Sequence, residues 1–175
     1  MNVVIENHPD RTVTPDQIDN QQTSDLDRSP SICSNAFVKR GRTLAIDYGS
    51  KNIGLACCDE LGVAVRPLAS IPNRGLRDLL KQLKQALDEN AIEYIAMGMP
   101  LNMDGSQGEA SRQVQHFIDH GLAALGLPIA VVDERLSTVE AREAWTAMSA
   151  RQQRRYRTVD SLAAAFILKR YLEES

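Results

Sequence analysis

The chain has 175 residues, 43% hydrophobic and 25% charged, which fits one globular domain with a tail and excludes a fibrous or wholly disordered protein. No run approaches the roughly 20 consecutive apolar residues of a membrane span, and the N-terminus lacks the apolar core of a secretory signal, so we expect a cytoplasmic protein with no membrane partner. The formal net charge of −3 argues against nucleic-acid binding over the whole surface, because phosphate affinity comes mainly from clustered Lys and Arg.

The composition changes near residue 41 and divides the chain into two parts. Residues 1–40 are rich in Asn, Gln, Ser, Thr and Asp, and they contain three prolines and no glycine. Such a segment buries too little apolar surface to offset its ordering entropy, so we predict a disordered N-terminal tail. The tail carries −2 of the net charge. Residues 41–175 are therefore predicted to form one nearly neutral domain.

The domain is predicted to begin with three antiparallel strands. A strand over residues 43–46 is followed by a turn over 48–52 and a hairpin partner over 53–58. A third strand over 64–68 is placed at an edge of the sheet, because Pro67 has no N–H to donate to a neighbouring strand.

Helices and strands alternate after the third strand. The leucines at positions 76, 79, 80, 83 and 87 fall on one face of a helix. Further strands are predicted over residues 94–97 and 129–132, and further helices over 114–125, 137–145 and about 159–172. The order βββαβαβα predicts an α/β domain with a five-stranded mixed sheet, flanked by helices, whose later strands are parallel.

Three acidic residues lie at the ends of apolar elements. Asp47 follows the first strand, Glu134 follows the fifth, and Asp160 lies in the first turn of the last helix. Ligands gather beyond the carboxyl ends of strands in open α/β sheets, so Asp47 and Glu134 can converge if their strands are neighbours. Helical spacing places Asp160 on one face with Ala163 and Ala164, the face expected to pack on the sheet. A buried carboxylate there needs a partner.

Carboxylates that come together repel each other unless a cation neutralises them. Mg²⁺ suits such a site because it binds carboxylate oxygens, and two ions about 4 Å apart would support phosphodiester hydrolysis. Structural roles remain open for the same residues. Asp47 can be a turn residue, Glu134 can pair with an arginine, and Asp160 can be a helix-start acid favoured by the helix dipole.

A basic segment directly precedes the last helix. Residues 151–157 contain four arginines and no acid. The guanidinium groups of Arg154, Arg155 and Arg157 suit phosphate, and Lys51 at the tip of the first hairpin could reach another. A solvated linker and an exposed turn lysine are the alternative interpretations.

Four segments carry more specific motifs. They are DYGSKNIGLACCD at 47–59, GMPLNMDG at 98–105, VDERLSTVEA at 132–141 and VDSLAA at 159–164. In this order, over residues 42–173, they resemble the YqgF family of pre-16S rRNA nucleases within the RNase H-like superfamily. The members of this family are also called RuvX-like Holliday junction resolvase homologues.

The resemblance implies an RNase H-like fold and a nuclease that depends on Mg²⁺ or Mn²⁺. Its catalytic and metal-binding acids would be Asp47, Glu134 and Asp160, with Asp133 the nearest substitute for Glu134. The implied partner is nucleic acid, either structured RNA or branched DNA, and the implied role is processing of the 5′ end of pre-16S rRNA in ribosomal precursor particles. A DNA junction resolvase and a non-catalytic rRNA-binding factor are the alternatives.

Two positions depart from the family pattern. Resolvases of the RuvC type place an acid at the end of the fourth strand, where this chain has Gly98, so the acid after the fifth strand must substitute. Asn52 stands where the family usually has Arg, which removes one phosphate contact.

Overall fold

The computed structural model describes residues 41–134 and 137–174, with side chains left out at 137–140. The predicted disordered tail, residues 1–40, lies outside the described residues. Ser137 and Glu140, which have the spacing of a capping box at the start of the helix predicted over 137–145, lie where side chains are not described.

The described domain consists of six strands, five α-helices and one short 3-10 helix. The strands are β1 (Thr43–Tyr48), β2 (Asn52–Cys58), β3 (Val65–Pro67), β4 (Ile71–Pro72), β5 (Tyr94–Met99) and β6 (Ile129–Asp133). The helices are α1 (Leu76–Glu89), α2 (Glu109–His120), the 3-10 helix (Leu122–Leu125), α3 (Ser137–Ala147), α4 (Ala150–Tyr156) and α5 (Val159–Glu173).

The strands form one mixed sheet in the order β3-β2-β1-β5-β6. β1, β2 and β3 pair antiparallel, whereas β1, β5 and β6 are parallel. This confirms the predicted α/β class, and β3 lies at an edge, as Pro67 required. The sheet has a sixth strand that was not predicted, because β4 has only two residues, which pair antiparallel with β2.

Alternate residues of the strands face two helical layers. One face of the sheet packs against leucines of α1 and against Val114, Phe117 and Ile118 of α2. The other face packs against α5, largely through small residues, and this α5-side cluster includes Ala45, Ala56, Ala96, Ala164 and Ala165. Because these side chains are short, α5 lies close to the sheet. Its first turn therefore reaches the strand ends where candidate site residues lie.

Two helical predictions differ from the structure. The helix predicted over 114–125 ends at His120, and residues 122–125 form a separate 3-10 turn after Gly121. The basic segment predicted as a possible linker is helix α4 over most of its length. Among the helices of the described residues, none is long and apolar enough to cross a bilayer.

Candidate active site

Asp47 lies near the end of β1, on the face of the sheet that packs against α5. Ala45, two residues earlier, is fully buried in the α5-side cluster, and strand alternation puts the side chain of Asp47 on the same face. Across the antiparallel ladder, Asp47 pairs with Gly54 of β2. The carboxyl group is half-buried, at the point where the parallel strands of the sheet end.

Glu134 follows β6 directly and its side chain reaches Asp47. Its backbone N–H donates to the carbonyl of Met99 at 3.0 Å, which extends the β5–β6 ladder by one residue. Glu134 is only 7% exposed, and its side chain shares a hydrogen bond with that of Asp47. Strand alternation directs Asp133 to the opposite face. Of the two candidate acids at the end of β6, Asp133 and Glu134, Glu134 is thus the one that meets Asp47.

Asp160 lies in the first turn of α5, and two hydrogen bonds fix that turn. The Thr158 hydroxyl caps the helix by accepting a hydrogen bond from the Ser161 N–H at 3.1 Å. The Ser161 hydroxyl donates to the carbonyl of Leu68 at 2.7 Å. These bonds hold the start of α5 against the segment between β3 and β4.

Gly54 allows this first turn to approach the sheet. A β-carbon at residue 54 would overlap the backbone of Asp160, with the carbonyl carbon at 2.5 Å and the carbonyl oxygen nearer still. The glycine opposite Asp47 is therefore the reason that Asp160 can come close to it. Asp160 is near enough for its charge to act on the Asp47 carboxyl.

The electrostatics of the site centre on Asp47. Burial raises the pKa of Asp47 from 3.8 to about 6, and the negative charge of Asp160 contributes to the rise. The hydrogen bond with Glu134 and the positive charge of Arg142 act in the opposite direction. Burial and the charge of Asp160 therefore favour the protonated form of the Asp47 carboxyl more than in a free aspartate.

The donor set fits a hard divalent cation. All three acids offer oxygen ligands, and a cation would offset the repulsion between their negative charges. Within the described residues, no three His, Cys, Asp or Glu side chains are arranged closely enough to hold one ion. The structure therefore brings two of the predicted acids into contact and places the third within electrostatic reach.

The four predicted phosphate-binding residues are all exposed. Lys51 lies at the tip of the β1–β2 hairpin, and Arg154 and Arg155 lie in the last turn of α4. Arg157 follows that helix with φ 64° and ψ −53°, and the Thr158 N–H donates to the Tyr156 carbonyl at 2.8 Å. This is a γ-turn of the rare, strained form. It sets Arg157 three residues before Asp160.

Two features of the site were not predicted. Helix α4 has a capping box in which Ser149 and Gln152 bond each other's backbone N–H, and the S-x-x-Q spacing was its signal in the sequence. Arg142 is exposed on α3 and its charge acts on Asp47. No local pattern marks Arg142, because it approaches Asp47 only through the packing of α3 beside α5.

Comparisons with known proteins cover the whole described domain. A sequence model of the family described as "RuvX: Holliday junction resolvase" matches residues 41–174. Proteins named "Putative pre-16S rRNA nuclease" from Synechococcus sp. and Halothermothrix orenii are each 37% identical over 131 residues. Each alignment covers 75% of this chain, together with 88% of the first protein and 94% of the second.

A solved structure shares the architecture. T. thermophilus RuvC, in complex with a Holliday junction substrate, matches with a TM-score of 0.50 and 15% identity, over 75% of this chain and 93% of that one. At this identity the likeness concerns the fold alone. It confirms the predicted RNase H-like architecture.

Proposed function

This chain belongs to the RuvX family, and on that premise we propose that it is a metal-dependent endonuclease that hydrolyses phosphodiester bonds in structured nucleic acid. The substrate that we propose is pre-16S rRNA, cut at its 5′ end within ribosomal precursor particles. The names of relatives that are 37% identical to this chain support this choice of substrate.

The observation that carries the proposal is the contact between the carboxyl groups of Asp47 and Glu134, with Asp160 beside them. Carboxyl groups held together in this way are costly for folding alone and are typical of catalytic sites. Asp47, Glu134 and Asp160 would hold Mg²⁺ or Mn²⁺. When bound, such an ion supplies the positive charge that activates water and stabilises the leaving oxygen.

The chain's own residues would prepare the site in three ways. The burial of Glu134 removes bulk water from one side of the acidic pair. The cap from Thr158 fixes the first turn that carries Asp160, so that the acid is held before substrate arrives. A proton held by Asp47, whose pKa is raised, must leave before this carboxylate can act as a ligand.

The basic residues would orient the substrate. Arg154, Arg155 and Arg157 precede α5 and are exposed, so phosphates bound there would lie along the approach to Asp160. Lys51 would contact a phosphate from the hairpin that follows β1. If the three arginines bind duplex phosphates, their replacement with Ala should lower the slope of log affinity against log salt by about 0.9 for each phosphate that is no longer bound.

The decisive experiment compares wild type, Asp47→Asn and Asp88→Asn on precursor rRNA and on a four-way DNA junction, with and without Mn²⁺. Asp88 is an exposed acid of α1, on the side of the sheet away from Asp47, and serves as the matched control. Loss of a metal ligand should lower the cleavage rate by more than about a hundredfold, whereas the control should keep the wild-type rate.

The outcomes separate the competing functions. Equal, metal-independent cleavage by wild type and Asp47→Asn would contradict the nuclease mechanism. Binding of rRNA without cleavage by any of the proteins would favour a non-catalytic rRNA-binding factor. Faster cleavage of the junction than of the RNA would identify a DNA resolvase.

A further inference from the structure

Both sheet neighbours of Asp47 are glycines. Gly54 of β2 pairs with it directly in the antiparallel ladder. On the other side, Ile46 pairs with Met97 of β5, so the next residues along the parallel ladder, Asp47 and Gly98, lie side by side. Neither neighbour has a side chain on the face that packs against α5. The sheet is therefore open to both sides of Asp47.

Each open position is filled by part of another acidic residue. The place of a β-carbon at Gly54 is taken by the backbone of Asp160. A β-carbon at Gly98 would lie 2.8 Å from Oε2 of Glu134 and 2.6 Å from Cδ1 of Ile167. The two glycines thus differ in their contacts, since Gly54 faces rigid backbone and Gly98 faces the ends of two flexible side chains.

The strand order explains why Glu134 needs this space. β6 lies two strands from β1, with β5 between them, so about 10 Å separates their backbones. Glu134 follows β6, and its carboxyl group meets that of Asp47 on β1. Its side chain must therefore cross β5 at the level of Gly98. A side chain at position 98 would stand in that path.

We propose that Gly98 is a positioning residue of the active site, whose missing side chain leaves open the space through which Glu134 reaches Asp47. The fold tolerates a methyl group at this position, because Glu134 and Ile167 can each turn aside. The methyl group and the Asp47–Glu134 contact cannot both be accommodated. The effect on cleavage rests on the proposed nuclease function, whereas the effect on the carboxyl contact does not.

The test is a double-mutant cycle between Gly98→Ala and Glu134→Ala. Both changes are made in an Ile167→Val background, which removes Cδ1, the nearest atom to the new methyl group, and leaves its contact with Glu134. Two quantities are measured: the single-turnover rate of cleavage of a structured RNA with Mn²⁺, and the ¹³C chemical shift of the Asp47 carboxyl in the metal-free protein. Thermal unfolding checks that each variant is folded.

If Gly98 acts through Glu134, Gly98→Ala should lower the rate by roughly tenfold to a hundredfold, as expected for a displaced catalytic group. It should also move the Asp47 carboxyl shift towards its value in Glu134→Ala. In the Glu134→Ala background, Gly98→Ala should have no further effect on either quantity, because the two changes remove the same contact.

Two results would overturn the proposal. One is an Asp47 carboxyl shift in Gly98→Ala equal to that of the Ile167→Val background. The other is an equal effect of Gly98→Ala with and without Glu134, which would mean a general structural role. If the carboxyl shifts follow the cycle but no protein cleaves RNA, the positioning role stands and the proposed nuclease function fails.

Discussion

Replacement of Gly54 by Ala should destabilise the fold, unlike the same replacement at Gly98. The new β-carbon would lie 2.5 Å from the carbonyl carbon of Asp160, whereas ordinary contacts are 3.4–4 Å. The first turn of α5 must then move by about 1 Å, as the difference between these distances indicates. Because backbone cannot turn aside as a side chain can, we expect a cost at the upper end of the range for overpacking, about 3 kcal/mol.

Thermal and urea unfolding followed by circular dichroism would measure this cost. For a domain of this size, a loss of about 3 kcal/mol corresponds to a fall in Tm of about 10 °C. Gly98→Ala is the matched control, since it adds the same methyl group to the same face on the other side of Asp47, and its Tm should stay close to that of wild type. A Tm for Gly54→Ala within about 2 °C of wild type would refute the steric argument.

Further predictions concern the charge of Asp47 and the start of α5. Because the pKa of Asp47 is raised in the folded state to about 6, its ionisation costs stability as pH rises from about 4 to 6. In urea unfolding at pH 8, the free energy of unfolding of metal-free Asp47→Asn should therefore exceed that of wild type by about 1–2 kcal/mol. This difference should vanish near pH 4. At limiting Mn²⁺, cleavage should rise with pH through about 6, because protons compete with the ion for Asp47; a flat profile from pH 5 to 8 would contradict this. Arg157→Gly should raise the free energy of unfolding by about 1 kcal/mol by relieving a positive φ, yet weaken RNA binding in filter-binding titrations. Thr158→Ala should cost about 1 kcal/mol in urea unfolding through loss of the cap, and lower the cleavage rate, whereas Thr158→Ser should keep both.

Patterns local in the sequence predicted most of the sheet and the elements at whose ends the three acids lie. Apolar runs marked β1 and β2, and the ends of those runs marked Asp47. Helical spacing in α5 placed Asp160 on the face that packs against the sheet, beside Ala164, which is fully buried. The placement of these residues in the fold was predictable because they lie within elements whose period is visible in the sequence.

The choice between Asp133 and Glu134 depended on contacts that no local pattern contains. β6 ends at Asp133. The alternation of side chains that directs the two acids to opposite faces of the sheet extends to Glu134 because its backbone N–H donates to the Met99 carbonyl. The resemblance to a known family favoured Glu134 without giving the geometric reason. The open space at Gly98 supplies that reason, and it exists only once β5 and β6 are paired.

The elements that were missed are short or polar. β4 has two residues, which is too few for alternation to be seen. Helix α4 has no buried residue, so it lacks the apolar period by which a helix is recognised. The capping box of Ser149 and Gln152 was its only local signal. The run of arginines led to an interpretation as a phosphate-binding segment or a linker instead.

The three acids come from the first strand, the last strand and the last helix of the described domain, and more than a hundred residues separate Asp47 from Asp160. Contacts between residues so far apart in sequence form late in folding, after local helices and the first hairpin. A chain in which only those local elements have formed holds Asp47 without either partner. In a refolding experiment, cleavage activity should therefore recover later than secondary structure. If the three acids form the proposed active site, the protein would be unable to cleave RNA until folding is complete.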